Sequence, residues 1–116
     1  MPSTLKATLP YPPTVNHYWL LGNKRLYISP EGRQYRRRVA GILIGAPTFL
    51  GRLSVEIGVH PPDHRKRDID NVPKAVLDAL QHAGLFDDDN QIDRLVVARA
   101  GVAKPGAVEV RISELD

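Results

Sequence analysis

The apolar period changes twice between Leu53 and Ala100, and each change restricts the fold. Leu53, Val55, Ile57 and Val59 alternate with Ser54, Glu56 and Gly58, the period of two expected of a strand with one buried face. Val72, Ala75, Val76, Ala79, Leu80 and Ala83 then recur at spacings of three and four, the apolar stripe of a helix. Asp70 or Asn71 is the expected N-cap, Pro73 fits the first turn, and Gly84 supplies the C-terminal stop. Branched apolar residues return from Ile92 to Ala100 as a second strand.

The flanks extend this β-α-β core. Leu5, Ala7 and Leu9 alternate with polar residues as a first strand, and three prolines within Pro10–Pro13 impose an extended, loop-like path. Ser29 is the expected cap of a basic amphipathic helix with Pro30 at its first position and Tyr35, Val39 and Ile42 on one face. That helix is predicted to end near Gly45-Ala46-Pro47. Lys104-Pro105-Gly106 turns the chain into a last strand with Val108, Val110 and Ile112 on one side. The predicted order is β-α-β-α-β-β: one compact α/β (α+β) domain over residues 1–116, a mixed sheet with two main helices. No apolar run approaches membrane-spanning length, and MPSTLKATLP holds no apolar core of a secretion signal. The absence of cysteine excludes disulfides and thiolate chemistry and suits a cytoplasmic protein.

Charge is unevenly placed. The chain carries a net +3, yet residues 67–94, RDIDNVPKAVLDALQHAGLFDDDNQIDR, hold seven of its thirteen acids. Basic residues gather in the first third (Arg33, Arg36, Arg37, Arg38) and beside the acidic stretch (Arg65, Lys66, Arg67). Asp68 and Asp70 project to one side if their segment is extended. Read plainly, one of them is a solvated loop residue and the other a helix cap, and Asp87–Asp89 is a solvated turn. The alternative is that the two segments converge. A helix from 71 to 83 runs roughly 20 Å outward, and residues 84–89 can retrace at most about 17–20 Å, so a meeting is feasible but tight. Converged carboxylates need a compensating cation, and oxygen donors without histidine or cysteine point to Mg²⁺ or Mn²⁺. An EF-hand beginning at Asp87 fails, because Ile92 and Ala98 stand where glycine and glutamate are required. His60 and His64 read as surface histidines. Lys74, one turn beyond Asp70, either pairs with Asp78 or stabilises charge on a bound phosphate.

These residues resemble the RusA-type Holliday junction resolvases. RDIDNVPKAVLDALQHAGLFDDDNQ matches that family's R-D-h-D-N-h-x-K-x-x-h-D-A-L…G-h-h-x-D-D-x-Q pattern (h, apolar). LPYPPTVNHYW looks like its opening L-P-x-P-P-S-x-N stretch, with Thr14 where serine is commoner, and YISPEGRQYR like its S-x-E-G-x-x-Y-R segment. The resemblance implies catalytic, metal-holding aspartates at Asp68, Asp70 and Asp89, an active-site lysine at Lys74, and a supporting acid at Asp88. Asp87 is an additional acid in that loop and leaves open which carboxylate ligates. Asn71 and Gln91 match the pattern as residues that orient ligands or water. Arg33, Arg36, Arg37, Arg65, Lys66 and Arg67 are the candidate phosphate contacts, with Asn16 a further DNA contact. Tyr18 and Trp19 read as core or interface aromatics, with base stacking the alternative.

The implied protein is a homodimeric, cytoplasmic, bacterial or prophage-encoded endodeoxyribonuclease dependent on Mg²⁺, with Mn²⁺ as substitute. It would place paired symmetric nicks in four-way junction DNA during recombination and repair, leaving 5′ phosphates and 3′ hydroxyls. The competing reading is a junction-binding module without catalysis. A nucleotidyl or glycosyl transferase is disfavoured by the lack of a glycine-rich phosphate loop.

Overall fold

The computed structural model describes residues 4–115; Met1–Ser3, the start of the stretch read for a secretion signal, and Asp116 lie outside it. Every predicted strand and helix is present. Strand β1 (Thr4–Pro10) buries Leu9, and helix α2 (Pro30–Ile42) buries Tyr35 and Val39. Strand β4 (Leu53–His60) buries all four alternating apolar side chains. Helix α3 (Pro73–His82), strand β5 (Ile92–Arg99) and strand β6 (Ala107–Glu114) follow. The main sheet has the order β1-β6-β4-β5, antiparallel except for the parallel β4–β5 pair. The β4-α3-β5 crossover accounts for that parallel pair, because a chain returning over the sheet through a helix must re-enter it in the same direction.

The core lies between one sheet face and α2 and α3. Val55, Ile57, Val108, Val110 and Ile112 meet Val39, Ala75, Val76, Ala79 and Leu80 there. The opposite face is polar, with Arg94 donating to Ser54 and Glu56. No helix is long and apolar enough to cross a membrane among the described residues.

Local structure departs from the sequence reading at several points. The proline-led stretch is not loop throughout: Val15–Tyr18 forms a short helix, α1, and β2 (Trp19–Gly22) pairs with β3 (Arg25–Ile28) as a hairpin absent from the predicted order. Its two turn residues, Asn23 and Lys24, both have positive φ, the geometry a two-residue hairpin needs. The hairpin and α1 carry the aromatic side chains onto α2. Tyr18 is fully buried, 4.2 Å from Trp19 and edge-on to Tyr35, which supports its reading as a core aromatic. Gly32 makes this approach possible: a Cβ there would lie 2.6 Å from the Tyr18 carbonyl oxygen.

Helix α2 is capped as expected, Ser29 accepting from the Gly32 amide at 2.9 Å. Ile42, placed on its apolar face by spacing, is about half exposed, because the helix ends there and Leu43 takes the buried position. Helix α3 is not capped by Asp70 or Asn71. A 3-10 turn over Ile69–Asn71 leads directly into it, and the cap position falls on Val72, which has no side-chain oxygen to offer. At the other end Gly84 adopts φ +88, and the Gly84 and Leu85 amides close the helix onto Gln81 and Leu80.

Candidate active site

The two acidic segments are built by different local rules. After β4, the polar connection is held by Asp63, which accepts from the Arg65 amide at 2.9 Å and the Arg67 guanidinium at 2.6 Å. The Arg67 bond, then the Arg65 amide, lower the Asp63 pKa to about 2. Arg99 at the end of β5 donates to the Arg67 carbonyl at 2.7 Å. This places Asp68 beside the C-terminal end of β5. Asp68 is extended (φ −82, ψ 131), but Asp70 lies in the 3-10 turn, so the pair does not continue a strand. Both side chains are exposed, and a recess beside them is lined by Tyr11, Thr14, Lys66, Arg67, Asp68 and Asn71. Lys66 and Arg67 thus border the acids they adjoin in sequence.

At the other end of β5 the acids are set by a capping box. Asp88 accepts from the Asn90 amide, and the Gln91 side-chain oxygen accepts from the Asp87 and Asp88 amides at 3.0 and 3.2 Å. The Gln91 amide nitrogen donates to the carbonyls of Phe49 and Gly51, both at 3.0 Å. Gln91 therefore fastens the loop to the chain entering β4. Asp88 is committed to the cap, while Asp89 stands in the first position of a 3-10 turn, exposed. The Arg52 guanidinium adds a bond to the Asn90 carbonyl and an ion pair with Asp93.

The segment after α3 does not retrace the helix. Leu85 and Phe86 are buried, and Leu85 accepts from the Phe49 amide at 2.7 Å, which holds Asp87–Asp89 at the far end. Asp68 and Asp70 thus lie by the C-terminal end of β5, and Asp89 directly precedes its N-terminal end. Eight strand residues separate those ends, roughly 23 Å at about 3.3 Å per residue. Among the described residues no group of three Asp, Glu or His side chains is placed to hold a metal ion. One chain thus presents Asp68 and Asp70 in one turn and Asp89 apart from them, and two carboxylates suit Mg²⁺, which keeps several waters and takes further oxygens from a bound phosphate.

Lys74 does not pair with Asp78. Its ammonium sits 4.9 Å from the centre of the Trp19 ring, in the exposed first turn of α3. Asp78 instead takes a two-pronged ion pair from Arg36, at 2.8 and 3.1 Å, and a hydrogen bond from the Tyr18 hydroxyl. Burial, reinforced by Asp78, pushes the Tyr18 phenol well above its ordinary range, and the Asp78 bond raises the Arg36 pKa. Arg36 is consequently tied between α2 and α3. Arg33 donates to the Ile28 carbonyl, while Arg37, Arg65, Lys66 and Asn16 are exposed. His60 lies against the Gly101 carbonyl and Glu109, and His64 is exposed. Sequence reasoning missed the Arg36–Asp78–Tyr18 cluster and the structural task of Gln91; the cluster and the Gln91 bonds to Phe49 and Gly51 join distant residues, and the one local signal was the Asp88-x-x-Gln91 spacing of a capping box.

A family model described as "Endodeoxyribonuclease RusA" matches residues 10–113. The chain belongs to the RusA family. It is 40% identical over 116 residues to the crossover junction endodeoxyribonuclease rusA of Enterobacteria phage 82, covering 97% of each chain. The relative from Enterobacteria phage HK97 is 39% identical, covering 93% of this chain and 92% of the relative. The Escherichia coli K12 RusA is likewise 39% identical, over 97% of both chains. The match includes both acidic segments and the basic connection between β4 and α3.

Proposed function

We propose that the chain is a crossover junction endodeoxyribonuclease: it hydrolyses phosphodiesters of four-way DNA junctions by paired symmetric nicks, in recombination and repair. The observation that carries this reading is membership, over 97% of the chain, of a family whose relatives are named for that activity, with Asp68, Asp70, Asp89 and Lys74 standing exposed. The working form is a homodimer in the cytoplasm, and its activity requires Mg²⁺, for which Mn²⁺ substitutes. Asp68 and Asp70 at one end of β5, and Asp89 at the other, supply hard oxygen donors of the kind such ions demand.

The chain's own side chains have distinct tasks. Lys74, held over Trp19 and one turn from Asp70, counters charge gathering on the phosphoryl oxygens. Asn71 borders Asp68 in the same recess and orients it or a water, and Gln91 sets the loop of Asp89. Arg33, Arg37, Arg65 and Lys66, together with Asn16, contact the DNA backbone and position it without reading sequence. Arg36 and Arg67 reach phosphate only at the expense of Asp78 and Asp63, so their contribution to binding is the smaller.

The test is a single gel. A mobile four-way junction and a linear duplex of matched sequence are incubated with the protein, with and without Mg²⁺. Paired nicks in the junction alone, and only with Mg²⁺, are expected. Tight junction binding with no nicking under any divalent ion would support the non-catalytic module instead.

A further inference from the structure

Lys74 and Asp78 stand four residues apart on α3, the spacing at which a lysine and an aspartate on a helix surface meet. They do not meet, because Asp78 is taken from the other side. The Arg36 guanidinium binds both of its carboxylate oxygens from α2, and the Tyr18 hydroxyl donates to one of them from the end of α1. The Arg36 and Asp78 side chains are only 24% and 26% exposed, so salt and water screen this pair less than a surface bridge. The anchored Tyr18 also fixes its neighbour. The half-buried Trp19 ring lies 4.2 Å from the Tyr18 ring and 4.9 Å from the Lys74 ammonium. An aromatic face attracts an ammonium through its quadrupole without cancelling the charge or accepting its N–H donors, whereas a carboxylate does both.

We infer that Arg36, Tyr18 and Trp19 are positioning residues for Lys74: Arg36 and Tyr18 withhold Asp78 from it, and Trp19 holds its ammonium charged and with its donors free in the exposed first turn of α3. The task this serves, countering charge on the phosphoryl oxygens, rests on the junction-nuclease reading; the sequestration of Asp78 does not. Removing Arg36 leaves a largely buried aspartate without its cation, and Lys74, one turn back on the same helix, is then in reach to replace it. A Lys74 paired with Asp78 is neutralised and drawn along α3, away from the turn that holds Asp70. Asp78→Asn removes the competing anion and releases the lysine again.

Trp19 is the only tryptophan of the chain, so its fluorescence reports the contact without any cleavage. The Lys74→Met spectrum marks the ring without its ammonium. Arg36→Gln is expected to take that spectrum, and Arg36→Gln/Asp78→Asn to return to the wild-type one. Single-turnover nicking of a saturating four-way junction in Mg²⁺, with variants shown folded by circular dichroism, should follow the same order. Arg36→Gln should be about tenfold slower, and the double variant within about threefold of wild type. Saturation removes any loss of affinity from Arg36, and a cluster that served packing alone would leave the double variant no faster than the single one. Trp19 supplies an arm that does not depend on Arg36→Gln folding. Trp19→Phe, which keeps a ring, should retain the maximal rate within about threefold, and Trp19→Leu should lose about tenfold at unchanged junction affinity. Coincident Lys74→Met and wild-type spectra, an Arg36→Gln spectrum that stays at wild type, no recovery in the double variant, or Trp19→Leu as fast as wild type overturns the inference. Wild-type protein that leaves the junction uncut while the spectra behave as described counts against the nuclease reading instead.

Discussion

The segments carrying Asp68 and Asp70, and Asp87 to Asp89, have similar composition but different anchorage. The first follows a proline-led connection pinned by an arginine clip, Asp63 to Arg65 and Arg67, with Arg99 holding the Arg67 carbonyl. The second is bound into the fold by a capping box and by Gln91, which uses both its oxygen and its nitrogen. Charge-assisted bonds on an exposed loop give a direction to the chain at small cost, whereas the Gln91 bonds satisfy main-chain groups that the loop would otherwise leave open. The Asp87–Asp89 loop is therefore a structural element that also presents a carboxylate, and under the proposed function the Asp68–Asp70 turn serves chiefly chemistry.

This contrast gives graded expectations. Asp70→Asn should lower junction cleavage about 100- to 1,000-fold while leaving folding intact and junction binding equal or tighter, since one negative charge near phosphate is removed. Cleavage rates and gel-shift affinities measured together decide this; joint loss of binding in a folded variant would contradict it. Gln91→Ala should instead cost about 1–3 kcal/mol in urea unfolding, because it strips bonds from the Phe49 and Gly51 carbonyls and two loop amides. Asp88→Ala, which removes the cap alone, should cost about 1 kcal/mol and retain a measurable share of cleavage. If Asp88→Ala were as inactive as Asp89→Asn at full stability, the division of labour between them would fail.

The smallest effect concerns pH. Asp63 has a folded pKa of about 2 against 3.8 for the free side chain. A depressed carboxylate pKa stabilises the folded state above 3.8, and that contribution fades as pH falls from there toward 2. Carboxyl titration by NMR should place Asp63 near 2, with the Arg65 amide resonance following it. Titration at the free value would show that the clip is not formed in solution.

Much of the fold is legible in the sequence alone. Alternation in β4, the three-four spacing of α3, Ser29 before Pro30 and Gly84 after α3 are local signals, and each produced the expected element. The β2–β3 hairpin was not legible, because its turn is Asn23-Lys24. Asparagine tolerates positive φ, but a lysine at the second position hides the usual Asn-Gly signature. The α3 cap differs from the expectation because Asp70 and Asn71 have the right chemistry one or two residues too early, and the 3-10 turn takes them up. The candidate acids were visible as residues, but not their separation. The reach of residues 84–89 allowed a return along α3, and the burial of Leu85 and Phe86 decided against it. The edge position of β5 was hidden for a related reason: a branched apolar run reads as buried wherever in the sheet it lies.

The account depends on a divalent ion held by the acids beside the C-terminal end of β5. A crystal of the protein grown with Mn²⁺ and measured for anomalous scattering addresses that claim most directly. The expected result is a manganese peak at bonding distance from Asp68 and Asp70. Peaks away from both, or none at saturating Mn²⁺ in protein that nicks junctions, would contradict it.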